Sequence, residues 1–460
     1  MFRPHERRAG DGGSGAGEDA APDSVEDDTS PDSAVGVLLE AIKRSDLGVV
    51  LVTLGVIYVA AALVTFPDGL NSVVGLMQTL TFLGLVYALS ALALNLHWGY
   101  TGLFNIGVAG FMAIGVYTMG VVVRPPDPAF GPPGLGLPLP VGIVAGMALS
   151  ALVGLFAALP ALRLRADYLA IVTLGLSEII RLTLQSSTVD TFLRETFAVG
   201  TGGGRGMGMP DNPVRALFLV DGRAGNPTAL GDAVFGTLGE GGVGISNNIL
   251  VGWGYVLVLA AFLLGFYVFL ERLGRSPFGR TLKAIREDEL VADSLGKNVD
   301  LIKIKVFAIG CALMGLAGIL WFGSQGNVSP TPQFMPLLTF YIFVAVIIGG
   351  AGSNAGSVVG GIVFAAVLFE GPRRLGAVVR DTIDASTPPS FADAVASLDP
   401  VAFLAYATDN VAPLQFVFLG LALIFIMHRR PEGLLGHRIE TAAAVDLSAD
   451  SRPDGGDSDE

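Results

Sequence analysis

A helix in water seldom runs for about 18 residues without a charged side chain, because one face must meet solvent. This sequence does so repeatedly. Residues 70–96, 249–270 and 306–323 contain no Asp, Glu, Lys or Arg. Only 15% of the whole chain is charged, where a soluble domain has roughly 25%, and its mean hydropathy is +0.62. These runs predict an all-α integral membrane protein, a polytopic helical bundle. About ten transmembrane helices are expected, near 47–66, 70–96, 99–123, 139–159, 166–185, 249–270, 304–323, 334–350, 355–371 and 411–428. The eighth and ninth are short, Gly-rich and joined by "GGAGSNAG". Broken spans of that kind line cavities, because irregular backbone survives at membrane depth only where protein or water satisfies it.

The net charge of −13 is concentrated at the two ends. Residues 1–42 and 436–460 are acidic and poor in apolar side chains, so both are expected to be disordered tails around a transmembrane domain at 43–435. Acid bias with arginine in excess of lysine gives the chain a halophile-like composition. No apolar segment near residue 1 resembles a cleavable signal peptide. Lys and Arg cluster at 43–44, 163–165, 272–305 and 429–430, which places both termini on the cytoplasmic side of the plasma membrane. Loops at 186–247 and 372–410 then fall outside, although Arg373, Arg374 and Arg380 sit uneasily there.

Several functions are disfavoured. One cysteine, Cys311, lies in an apolar run and reads as a packing residue, and four scattered histidines form no metal-site pattern. No catalytic cluster is visible, so the chain is expected not to be an enzyme and to need no metal or cofactor. Nothing points to a nucleic-acid partner. The phosphate-cradling pattern G-x-x-x-x-G-K-[ST] is absent, so any ATP used must be bound by another polypeptide.

Against this background the segment "GRTLKAIREDELVADSLGKNV" (279–299), within a cytoplasmic loop at 272–303, is conspicuously polar. At about 100° per residue, Ala284, Ile285, Val291, Ala292 and Leu295 share one broad face, interrupted by Asp288. Gly296 is a natural helix stop. One short amphipathic helix, or two, is expected. A solvated loop and a docking element for a partner both fit that pattern.

Four stretches together carry a family resemblance: "NLHWGYTGLFNIGVAGFMAIGVYT" (95–118), "RADYLAIVTLGLSEIIRL" (165–182), "FGRTLKAIREDELVADSLGKNV" with the span that follows it, and "SPTPQFMPLLTFYIFVAVIIGGAGSNAGSVVGG" (329–361). In this order they resemble the permeases of branched-chain amino-acid ABC transporters, of the LivM type, over most of 45–435. The resemblance implies that Gly279, Arg280, Ala284, Ile285, Arg286, Asp288, Val291, Ala292, Leu295 and Gly296 belong to a coupling element received by an ATPase subunit. It also implies a second homologous permease subunit and an extracytoplasmic substrate-binding protein as partners, beside membrane lipid. One departure is plain: the importer consensus Glu-Ala-Ala, with Gly four residues later, is here Leu290-Val291-Ala292 before Gly296.

Ionisable groups inside a span are functional candidates because burying them costs on the order of 2.5 kcal/mol or more. Glu178 and Arg181, three apart on a helix near the outer end of its span, are the main case, and both a structural ion pair and a role in the substrate path fit them. With Asn95, Thr101 and Asn105 they are candidates for a translocation path; the last three could equally cap helices. Gly99, Gly102, Gly107, Gly349, Gly350, Gly352 and Gly356 are expected to allow close helix packing. His97 and Glu370 are placed near span ends, facing water. The function expected is import of branched-chain or related amino acids. Urea or a short amide is the alternative cargo, and a self-sufficient transporter or channel the alternative mechanism.

Overall fold

The computed structural model describes residues 46–65, 69–128, 131–161, 166–220, 226–382 and 387–435. The acidic tails, and the basic residues at 43–44 and 163–165 used to orient the chain, lie outside the described residues.

The first half contains α1 (Asp46–Thr65), α2 (Leu70–Thr101), α3 (Val108–Val123), α4 (Leu139–Ala161) and α5 (Ala166–Gln185). The short helices α6 (Ser187–Phe197), α7 (Pro213–Phe218) and α8 (Ala229–Thr237) occupy the 186–247 loop. There follow α9 (Asn247–Arg275), α10 (Pro277–Glu287), α11 (Glu289–Ser294) and α12 (Val299–Phe322). The chain continues through α13 (Pro330–Gln333), α14 (Pro336–Gly349) and α15 (Asn354–Val363), which runs on as a π-helical stretch (Phe364–Glu370). Last come α16 (Gly371–Thr382), α17 (Phe391–Ala396), α18 (Pro400–Asp409) and α19 (Val411–Arg429). β1 (Met207–Gly208) and β2 (Asn327–Val328) form one antiparallel pair, Met207 opposite Val328.

Among the described residues, seven helices are long and apolar enough to cross a membrane, and three shorter apolar helices accompany them: Gly48–Leu63, Val108–Val123 and Gln415–Arg429. The figure of ten is reached only by adding those three. Two features differ from expectation. α2 does not stop near residue 96 but runs to Thr101, so "GYTG" is its last turn and the real bend is at 102–107. The 372–410 segment is largely helical (α16 to α18), which its amphipathic patterning permits.

α2 and α12 are the central helices. In their most apolar windows 83% and 72% of residues are buried, against 22% for α5. Both read as apolar all round because protein surrounds them on all sides. Their neighbours approach through glycine. A Cβ on Gly115 of α3 would lie 2.3 Å from the Gly315 carbonyl oxygen of α12. One on Gly318 would lie 2.3 Å from the Met112 carbonyl oxygen, and one on Gly146 of α4 2.5 Å from that of Gly115. Without a hydrophobic driving force between helices in lipid, such backbone approach supplies the van der Waals contact that holds them.

His97 and Glu370 do not face water. His97 is fully buried, because α2 continues past it and α12 covers it. Its Nε2 lies 3.2 Å from the Val306 carbonyl and 3.1 Å from that of Phe307, and its Nδ1 lies 3.1 Å from Asn105 Nδ2. Two carbonyl acceptors at Nε2 and an amide donor at Nδ1 fix the neutral tautomer with the proton on Nε2. The notch for the ring is Gly310, where a Cβ would meet Nε2 at 2.0 Å. Glu370 is mostly buried and pairs with Arg374 at 3.1 Å.

Candidate functional site

The polar insert folds as two helices with a break at Asp288. Ser276 caps α10, its Oγ accepting from Gly279 N at 3.2 Å, and Pro277 sits at the first helical position. Asp288 is extended and caps α11: its Oδ1 accepts from Leu290 N at 2.9 Å and Val291 N at 3.1 Å. Asp288 therefore ends one helix and starts the next, and does not interrupt a continuous face. At the far end Gly296 takes a φ of +73°. Lys297 N donates to Ala292 O at 3.3 Å and Gly296 N to Asp293 O at 2.8 Å, the paired bonds of a glycine-terminated helix.

The break divides the apolar face. Leu282, Ile285 and Ala292 turn inward, the last two packing with Val299. Ala284 and Arg280 are exposed, and so are Leu290 (78%), Val291 (55%) and Leu295 (72%). The single face expected from Ala284, Ile285, Val291, Ala292 and Leu295 is thus two surfaces, one seated and one outward. Glu289 pairs with the buried Lys303 at 2.5 Å, which pins α11 to the start of α12.

A polar network joins this segment to both Gly-rich turns. Arg286 Nη1 donates to the Gly99 carbonyl. Gly99 lies in the last turn of α2, whose carbonyls lack helical donors and where the helix dipole favours a cation. The same side chain runs over Gly102 and against Gly352. The buried Asn95 accepts from Gly352 N at 2.7 Å and donates to Asn354 Oδ1 at 3.3 Å. Asn354 donates onward to Glu271 at 3.1 Å, and Glu271 pairs with Arg275 at 2.7 Å. Gly99 and Gly352 have no room for a side chain: a Cβ on Gly99 would lie 2.6 Å from Gly352 N, and Gly352 has a φ of +97°. Gly349 and Gly356 touch backbone to backbone between α14 and α15, a Cβ on Gly349 falling 1.9 Å from the Gly356 carbonyl oxygen. Gly350 forms the bend at a φ of +105°, and Gly107 lies under Thr173.

The path candidates fall into two groups. Thr101 Oγ1 donates to His97 O at 2.5 Å, and Asn105 Oδ1 accepts from Gly107 N at 2.8 Å. With Asn95 they are buried at the α2 terminus. Glu178 and Arg181 sit apart from them, toward the end of α5, and pair through Nε at 2.9 Å and through Nη2. Arg181 also reaches Gln185 and Thr331. Sequence reasoning passed over Leu282, Glu271, Asn354 and Lys303. Only Asn354 carried a signal, as a polar residue beside the Gly-rich bend. Among the described residues, no three His, Cys, Asp or Glu side chains gather to hold a metal ion.

A family model described as "Branched-chain amino acid transport system / permease component" matches residues 76–372, a stretch that contains every member of the network. The chain is 33% identical over 302 residues to the high-affinity branched-chain amino acid transport system permease protein LivM of Escherichia coli, covering 64% of this chain and 62% of that protein. It is 28% identical over 311 residues to a probable LivM of Methanocaldococcus jannaschii, covering 61% and 76%. An 88-residue stretch is 35% identical to LivH of Salmonella typhimurium, covering 19% of this chain and 28% of that protein. The chain thus spans about three fifths of the length of the enterobacterial LivM relatives it matches. No solved structure matches it.

Proposed function

The chain belongs to the branched-chain amino acid transport permease family, of the LivM type, and from that premise we propose that it is one permease subunit of an ABC importer for branched-chain or related amino acids. Its partners are ATPase subunits, a second permease resembling LivH, and an extracytoplasmic substrate-binding protein. The chain does no covalent chemistry. ATP binds the ATPase subunit, and this chain supplies half of the route.

The observation that carries the coupling role is the divided surface of α10 and α11. Leu282, Ile285 and Ala292 seat the segment on the bundle, while Leu290, Val291 and Leu295 stand exposed beside charged neighbours. An apolar knob rimmed by charge is what a helix-in-groove contact requires. Closure of the ATPase around it would displace α10 and α11, and the helices attached to them would tilt. Glu178 and Arg181, paired on α5 with Arg181 mostly buried and Glu178 partly so, are the remaining candidates for the substrate route, since ionisable groups persist at membrane depth where they face a polar cavity or partner.

Uptake of radiolabelled leucine, isoleucine and valine, with urea as control, in a strain deleted for this gene is the direct test. Loss of branched-chain uptake, restored by the wild-type gene, is expected. Unchanged uptake of all three amino acids would remove the assignment, and loss of urea uptake alone would move it to the amide-carrying alternative.

A further inference from the structure

We infer that Arg286 and Asn95 are positioning residues that make α10, the end of α2 and the 350–353 bend move together; this rests on the importer reading above. Four separate parts of the chain meet here. Arg286 leaves α10 and donates to Gly99 of α2, beside Gly352. Asn95 holds that bend to α2 through Gly352 N, and reaches Asn354 at the start of α15. Asn354 ties in Glu271 at the end of α9.

Each member has a reason to be the residue it is. The Gly99 carbonyl needs a donor that arrives from outside its helix, and the cationic guanidinium at a helix C-terminus strengthens that bond. Asn95 must donate and accept at once, which an amide does and a carboxylate does not. Glycine is required at 99 because a built Cβ would lie 2.6 Å from Gly352 N, and at 352 by its φ of +97°; Asn95 Oδ1 and Arg286 Nη1 use the space left free there. The apolar seat of Leu282 and Ile285 fixes where α10 rests, but apolar contact is non-directional and lets a helix slide. The Arg286 bond has direction, and it ends on a backbone atom of the central helix. Displacement of α10 is therefore handed to α2 through the Arg286 bond, and on to α15 through Asn95.

The test uses the assembled complex in proteoliposomes with its binding protein, reading leucine uptake and ATP hydrolysis in the same vesicles. Arg286→Met is expected to lower the amount of leucine moved per ATP hydrolysed by ~10-fold, within the ordinary range of inter-site coupling. Arg286→Lys, which keeps the donor but not the guanidinium reach, is expected to fall between. A ratio within twofold of wild type for Arg286→Met would overturn the inference. A second measurement needs no partner: hydrogen exchange at the Gly352 amide of the detergent-purified chain. Faster exchange is expected in Arg286→Met and in Asn95→Leu, and unchanged exchange in both would overturn the inference. Failure of the wild-type chain to assemble with any ATPase would count against the importer reading alone, and the exchange result would still decide whether the two residues bind the turns together.

Discussion

Two regions of this molecule hold helices together by opposite means. In the middle of the bundle, α3, α4 and α12 meet backbone to backbone through Gly115, Gly146, Gly315 and Gly318. Around α10 the ties are polar and specific: Arg286 to Gly99, Asn95 to Gly352, Asn354 to Glu271, Glu289 to Lys303. The first region has nothing to exchange for a new partner, so it has one arrangement. The second region is held by directional bonds to named side chains, so a single substitution can cut each tie.

The largest effect is expected in the middle. Gly115→Leu drives a side chain into the Gly315 backbone, and overpacking against atoms that cannot move costs about 3 kcal/mol or more. Size-exclusion of the detergent-solubilised variant should show aggregate; a monodisperse peak with the wild-type melting temperature would break the contrast. His97→Leu comes next. It removes the buried donor to Val306 and Phe307 and strands the Asn105 amide, which costs roughly 1–3 kcal/mol. A thermal melt in detergent should fall accordingly, and an unchanged midpoint would mean that buried polar ties contribute little here. The smallest effect on folding is expected at Val291→Asp or Leu295→Asp, within ~0.5 kcal/mol because both side chains are exposed. These two should nevertheless abolish co-purification of the ATPase, and retention of the ATPase by both would return α11 to the status of an ordinary loop. Ile285 is a poor probe of the same contact, since it is buried and a charge there unseats α10.

The spans were legible because a charge-free run longer than a membrane is thick has few other uses. Which spans are central was not legible: α2 and α4 are both apolar all round, and only contact with neighbours distinguishes them. His97 was misplaced for a related reason. The helix continues past the point where the sequence turns polar, and the partners of His97, Val306 and Phe307, lie more than 200 residues away in sequence. The divided face of α10 and α11 turned on one residue. Asp288 reads as a polar intrusion when one helix is assumed, and as an N-cap when two are allowed, and the pattern Asp-Glu-Leu-Val carries both readings. The Arg286–Gly99 bond left no trace in periodicity because its acceptor is a backbone atom.

The glycine contacts also constrain the kinematics of the chain. Helices in van der Waals contact along their backbones have no side-chain layer to shear against, so α3, α4 and α12 must travel as one block. Any rocking of that block relative to α14 and α15 has to be absorbed by changes of φ and ψ in the non-helical pieces between them. The turn that leaves α12 is the place where such rotation can occur before the chain is held again by β2, and Gly326, already at positive φ, is its natural pivot.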